Sequence, residues 1–139
     1  MTNKYPFNLV PDGNSYSVTF PDIPEAITFG DTAKEASERA HDCLLTALEF
    51  YFEDVREVPA PSKVKKGQHA VELPASIAVK VQLLNEMVRQ RIKQVELAKR
   101  MHLSPTQVNR IVNVRQPTKI DTINEAFKAL GKHLDFVVA

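Results

Sequence analysis

Apolar and polar residues alternate at a period of two where the chain begins. Tyr5 to Val10 reads as a first strand, and Pro6 places its start at a sheet edge. Pro11-Asp12-Gly13-Asn14 is turn chemistry, with proline setting φ and glycine free to take positive φ. Ser15 to Phe20 then puts Tyr16, Val18 and Phe20 on one face and Ser15, Ser17 and Thr19 on the other, which predicts a half-buried hairpin partner. Pro21-Asp22-Ile23-Pro24-Glu25 reads as a rigid loop, followed by a short strand from Ala26 to Phe29 that ends at Gly30. The period then lengthens. Thr32 and Glu35 form a capping box, and Ala36, Ala40, Cys43, Leu44, Ala47, Leu48 and Tyr51 make one apolar stripe to about Asp54. Pro59, Pro61 and Ser62 to Gly67 mark a loop before a fourth strand, His69 to Leu73. The expected unit is a β-β-β-α-β layer of the α+β class, with the helix on one sheet face.

From Ala75 the pattern is helical. Ile77, Val81, Leu84 and Val88 predict a helix to about Gln90, with Ser76 a candidate cap. Between Gln94 and Ile111 lie two short helices joined by a tight turn: Leu97, Ala98 and Met101 face inward on the first, Val108, Ile111 and Val112 on the second. Ser104 offers a hydroxyl cap and Pro105 sits at the first helical position, where its missing N–H costs nothing. Ile120, Ile123, Phe127 and Leu130 define a closing helix that Gly131 stops. His133 to Val138 alternates once more. A lone strand cannot satisfy its own backbone, so it is expected to dock on the first sheet or, preferably, to pair with its counterpart in a second chain. Two domains follow from this, 1–74 with a linker at about 58–68 inside it, and 75–139, an all-α domain with a C-terminal strand.

Charge sharpens the division. The 139 residues carry a net charge of only +1. Up to Pro74, however, seven Lys/Arg face twelve acids, a balance of −5, and from Ala75 eleven face five, a balance of +6. An acidic half joined to a basic half suggests two partners of opposite charge. The single cysteine, Cys43, excludes an internal disulfide and reads as a small buried hydrophobe. No stretch is apolar enough to span a membrane and the N-terminus lacks the apolar core of a signal peptide, so a cytoplasmic protein is expected. The histidines at 41, 69, 102 and 133 show no metal-ligand spacing, and Lys63, Lys65 and Lys66 beside Gly67 are not a phosphate loop. No cofactor is implied. The chemistry is binding, not catalysis.

The segment from Gln94 to Ile111 resembles the helix-turn-helix of the Xre/Cro-like repressors in its apolar positions, its Ala98, its turn-flanking Leu103 and its Val108. It departs from that pattern at His102, where the family favours glycine; histidine is among the side chains tolerated at positive φ. The resemblance places Pro105 to Val112 in a major groove, two half-sites about one helical turn apart. Gln107 then suits adenine and Arg110 guanine or phosphate, with Ser104, Thr106 and Asn109 in support. Lys99, Arg100, Arg115 and Lys119 flank the motif and suit phosphates. The C-terminal strand would pair two such domains through Leu134, Phe136 and Val138, as a homodimer or higher oligomer.

Tyr16-Ser-Val-Thr-Phe-Pro-Asp-Ile-Pro, followed by Thr28-Phe-Gly-Asp-Thr-Ala-Lys-Glu-Ala and an alanine-rich helix, resembles the HicB antitoxin family from about Tyr5 to Leu73. That resemblance implies a reduced RNase H-like N-terminal domain that binds a small basic, mRNA-cleaving HicA-type toxin, and a C-terminal domain that represses the operon. An acidic surface would steer onto such a toxin, and Asp22 and Glu25 are the candidate contacts. A nuclease reading of the RNase H likeness is not supported, because the first strand carries no acid and Asp12, Asp22 and Asp31 fall at turns and a helix start. The alternative function is a stand-alone transcriptional regulator whose N-terminal domain senses a ligand.

Overall fold

The computed structural model describes residues 3–139. The chain divides into two compact units: residues 1–51 with 59–74, and residues 52–58 with 75–139.

The first unit is an antiparallel sheet of four strands with one helix. The strands are β1 (Lys4–Asp12), β2 (Ser15–Phe20), β3 (Ile23–Gly30) and β4 (His69–Glu72), in the order β3-β2-β1-β4, and the helix is α1 (Ala33–Glu53). The α+β expectation is met. Tyr5, Phe7, Val18, Phe20, Ala26 and Val71 are buried from the strands, and Ala36, Ala40, Leu44, Ala47, Leu48 and Tyr51 from α1. Gly30 ends β3 for a steric reason: a Cβ there would stand 2.4 Å from the backbone nitrogen of Ala36. The cap of α1 forms through Thr32, whose Oγ1 accepts the Glu35 N–H at 3.1 Å, while the Glu35 carboxylate accepts from Asp31, one residue earlier than in the usual box.

Two strand expectations need correction. The loop predicted over residues 21–25 is only a two-residue turn, because Ile23 is already paired with Phe20 across a bulge at Thr19/Phe20. Pro24 is tolerated within β3 because that strand lies at the sheet edge. Pro6, by contrast, belongs to an inner strand. β1 is staggered, pairing with β4 over Lys4 to Phe7 and with β2 over Asn8 to Asp12. The ladder with β2 therefore begins beyond the proline and does not need its N–H.

The second unit contains α2 (Ala75–Gln90), α3 (Gln94–Met101), α4 (Pro105–Val112) and α5 (Ile120–Ala129). Its core joins Leu83 and Met87 of α2, Leu97 and Ala98 of α3, Val108, Ile111 and Val112 of α4, and Ile123, Ala126 and Phe127 of α5. Ser76 lies inside α2 rather than capping it. Residues 52–58 run with this unit. The Asn85 side chain donates to the Val58 carbonyl and accepts its N–H, and Arg89 pairs with Glu57 at 2.9 Å. Three chain reversals put non-glycine residues in the left-handed region: Val55, Arg91 and His102.

The predicted strand from His133 to Val138 does not form: residues 132–139 carry no regular structure and the sheet holds no strand from this end. Gly131, at φ 75°, closes α5 with a two-bond reversal, its N–H to Lys128 and the Lys132 N–H to Phe127. The chain then turns back onto its own helices. The Leu134 N–H donates to Asn124 Oδ1 at 2.9 Å and its side chain is half-buried against the helical core. Phe136 and Val138 are 76% and 99% exposed.

Candidate functional site

The helix pair α3–α4 is built from the inside out. Ala98 is small where the helices cross, and Leu97, Val108, Ile111 and Val112 are all buried. The turn between them needs a left-handed residue, and His102 supplies it at φ 56°, ψ 41°. Its N–H donates to Lys99 and the next N–H, of Leu103, to Ala98, which is the glycine-type helix ending made by a histidine. The second helix starts with a reciprocal cap: Gln107 N–H donates to Ser104 Oγ at 3.2 Å, and Ser104 N–H donates to Gln107 Oε1 at 2.9 Å.

That cap changes the standing of two expected contacts. Ser104 and Gln107 are exposed, but each carries part of the helix start, and the Gln107 amide oxygen is engaged with backbone. A Gln two residues after a Ser-Pro start signals this return bond, which the pattern of outward polar residues had obscured. Thr106, Asn109 and Arg110 occupy the outer face of α4, and Asn109 reaches Gln94 at the start of α3 at 3.5 Å. Among the flanking cations, Lys99, Arg115 and Lys119 are exposed. Arg100 is held within the unit, by Glu96 at 3.2 Å and by the Ala129 carbonyl at 3.1 Å.

One residue that sequence reading passed over sits directly behind α4. Lys80 of α2 is only 2% exposed. Its ammonium donates to the carbonyls of Arg110 (3.2 Å), Asn113 (2.8 Å) and Gln116, so the last turn of α4 and the turn after it close on one cation. Burial pushes this lysine down to about 8. A lysine within a run of apolar helix positions, Val79-Lys80-Val81, was the available signal.

In the first unit the two acidic candidates hold the chain together. The Asp22 carboxylate accepts from the Ser62 N–H at 2.8 Å and from its hydroxyl at 2.9 Å, and Glu25 accepts from the Tyr51 hydroxyl at 2.7 Å. Tyr5, buried and donating to the Pro59 carbonyl, is pushed up to about 12 by burial and by Asp22 and Tyr51. The larger open feature is the sheet face away from α1. The register aligns Val10, Ser17 and Phe29 in one row and Asn8, Thr19 and Ile27 in the next. Val10, Ile27 and Phe29 are 49%, 55% and 49% exposed. Alternation puts Ile27 and Phe29 on one face of their strand, but only the register brings Val10 onto the same sheet face.

No helix among the described residues is long and apolar enough to cross a membrane. The family model of the HicB-like antitoxin of bacterial toxin–antitoxin systems matches residues 4–82. Antitoxin HicB 2 of Photorhabdus laumondii subsp. laumondii is 52% identical over 134 residues, covering 96% of this chain and 95% of its own. Antitoxin HicB of Escherichia coli (strain K12) is 46% identical over 136 residues, 97% and 99% of the two chains. Antitoxin HicB of Pseudomonas fluorescens is 32% identical over 132 residues, 94% and 90%. These relatives are named as antitoxins, not as enzymes. With a family match over more than half its length and such relatives over nearly all of it, the chain belongs to the HicB-like antitoxins of bacterial toxin–antitoxin systems.

Proposed function

We propose that this antitoxin neutralises a small basic HicA-type ribonuclease through its first unit and represses its own operon through its second. The observation that carries the DNA half is the two-sided character of α4. Val108, Ile111 and Val112 are buried beneath it, while Thr106, Asn109 and Arg110 stand outward on a helix two turns long. Such a helix fits a major groove, and Lys99, Arg115 and Lys119 supply cations for phosphates. Ser104 and Gln107 act first as the helix start, so base readout rests chiefly on Arg110 and Asn109. The first unit supports the toxin half by charge. Residues 22–51 hold seven carboxylates and two cations, in a unit whose sheet face exposes Val10, Ile27 and Phe29. A unit with carboxylates concentrated on α1 and an open apolar, aromatic sheet face suits a basic protein, and disfavours a second copy of the same acidic surface. Pairing of two chains through the exposed Phe136 and Val138, with Leu134 already held on its own helices, would present two α4 helices to one operator.

Gel shifts with the DNA upstream of the gene test the first half. The full chain should bind it with a steep salt dependence, and Arg110→Ala should weaken binding by about 1–3 kcal/mol with relaxed preference at one base pair. Equal binding to any duplex would overturn repression by sequence readout. Co-expression with the toxin tests the second half: Ile27→Lys with Phe29→Lys should abolish toxin capture and leave the gel shift intact.

A further inference from the structure

We infer that Lys80 is a positioning residue for DNA binding: from beneath α4 it fixes the turn that presents Arg115, and operator affinity depends on it although it touches no DNA. This rests on the reading of α4 as the groove-binding helix.

Three observations carry it. An ammonium has three N–H donors, and here three carbonyls receive them, those of Arg110, Asn113 and Gln116. All three belong to the end of α4 and the turn leaving it, so one side chain of α2 sets the direction in which that segment runs. Within the turn the bonds are short-range, the Arg115 N–H to Asn113 Oδ1 at 2.9 Å and the Gln116 N–H to the Asn113 carbonyl at 3.2 Å, and Val114 is buried beside them. With its carbonyls drawn inward to Lys80, the turn carries Arg115 on its exposed side. Second, α4 spans only eight residues and ends in an extended Asn113 without a left-handed cap. So short a helix is marginal alone, and its last carbonyls need an outside donor. Third, the electrostatics point the same way. The C-terminal end of a helix carries partial negative charge, which opposes a phosphate backbone. A buried cation placed against those carbonyls offsets that charge from the protein side, so that Arg110 and Arg115 face DNA without it.

A double-mutant cycle on the full-length protein separates positioning from stability. Lys80→Met should weaken operator binding about tenfold while the variant remains folded by circular dichroism, and Arg115→Ala about tenfold. The double variant should lose about tenfold rather than a hundredfold, because a mispositioned Arg115 has little left to lose. Lys80→Met combined with Lys99→Ala, on the separate helix α3, should instead be additive. Additivity with Arg115→Ala, or unchanged binding by Lys80→Met, overturns the inference while leaving DNA recognition standing. Absence of sequence-specific binding by the unmodified protein removes the underlying reading instead. Where Lys80→Met does not fold, Lys80→Gln, which keeps two donors, takes its place in the cycle. Failure of both to fold assigns Lys80 to stability alone and overturns the inference.

Discussion

Lys80 meets three carbonyls rather than a carboxylate, and this gives its titration a definite sign. Burial lowers its pKa from 10.5 in an open chain to about 8 in the folded one. Below about pH 8 both states hold the proton and its contribution to stability is constant. Between about 8 and 10.5 the unfolded chain binds more protons, so stability rises with pH across that window. The ceiling is about 3 kcal/mol, at about 1.4 kcal/mol for each pKa unit. Urea unfolding of the wild type should therefore gain stability relative to Lys80→Met between pH 8 and 10, and the opposite trend would mean that the carbonyls hold the charged form more strongly than burial opposes it. His102 offers a second single-residue test. At φ 56° its Cβ crowds the backbone, where glycine has none. His102→Gly should raise stability by about 0.5–1 kcal/mol, the relief of strain exceeding the added freedom of the unfolded chain. A lower melting temperature would show that the imidazole makes an offsetting contact.

The elements were legible to different degrees, for reasons that lie in how each is held. α1, α4 and α5 could be read because apolar spacing agrees with a cap or a stop on each: Thr32 and Glu35, Ser104 and Pro105, Gly131; α3 was read from spacing alone. β3 was read three residues short at its start because Pro24, of a type that usually ends a strand, sits on an edge where no partner needs its missing N–H. The C-terminal strand was read where none forms in the single chain. Alternation is a local signal, and Leu134 instead finds a place on its own helices. The site shows the same limit. The outward polar set of α4 was apparent from periodicity, and the reciprocal bonds of Ser104 with Gln107 follow a local three-residue spacing, but the carbonyls that Lys80 meets come from α4 and the turn after it, 30 residues or more along the chain, which spacing does not encode. Where α1 enters beside β3, only glycine serves at position 30. Gly30→Ala would drive a methyl group into the backbone of Ala36, which side-chain adjustment cannot relieve. It should cost about 3 kcal/mol, measured as a loss of toxin capture and of thermal stability together.

At the scale of the whole molecule, the near-neutral total conceals two fields of opposite sign, −5 up to Pro74 and +6 beyond it. Both proposed partners bind by charge, yet the two associations should respond differently to salt. DNA binding releases a counterion for each phosphate neutralised, so the logarithm of affinity falls linearly and steeply with that of salt concentration. Toxin binding as proposed for the first unit combines steering by residues 22–51 with burial of Val10, Ile27 and Phe29, and that apolar part resists screening. Raising salt from 50 to 200 mM should thus reduce operator affinity by about tenfold or more, slow toxin association, and change the toxin's dissociation rate little. Surface-plasmon measurements on the same protein with each partner would check it. If toxin dissociation accelerated with salt as strongly as operator dissociation, the sheet face would be excluded as its main contact, and the interface would have to lie among the carboxylates of α1.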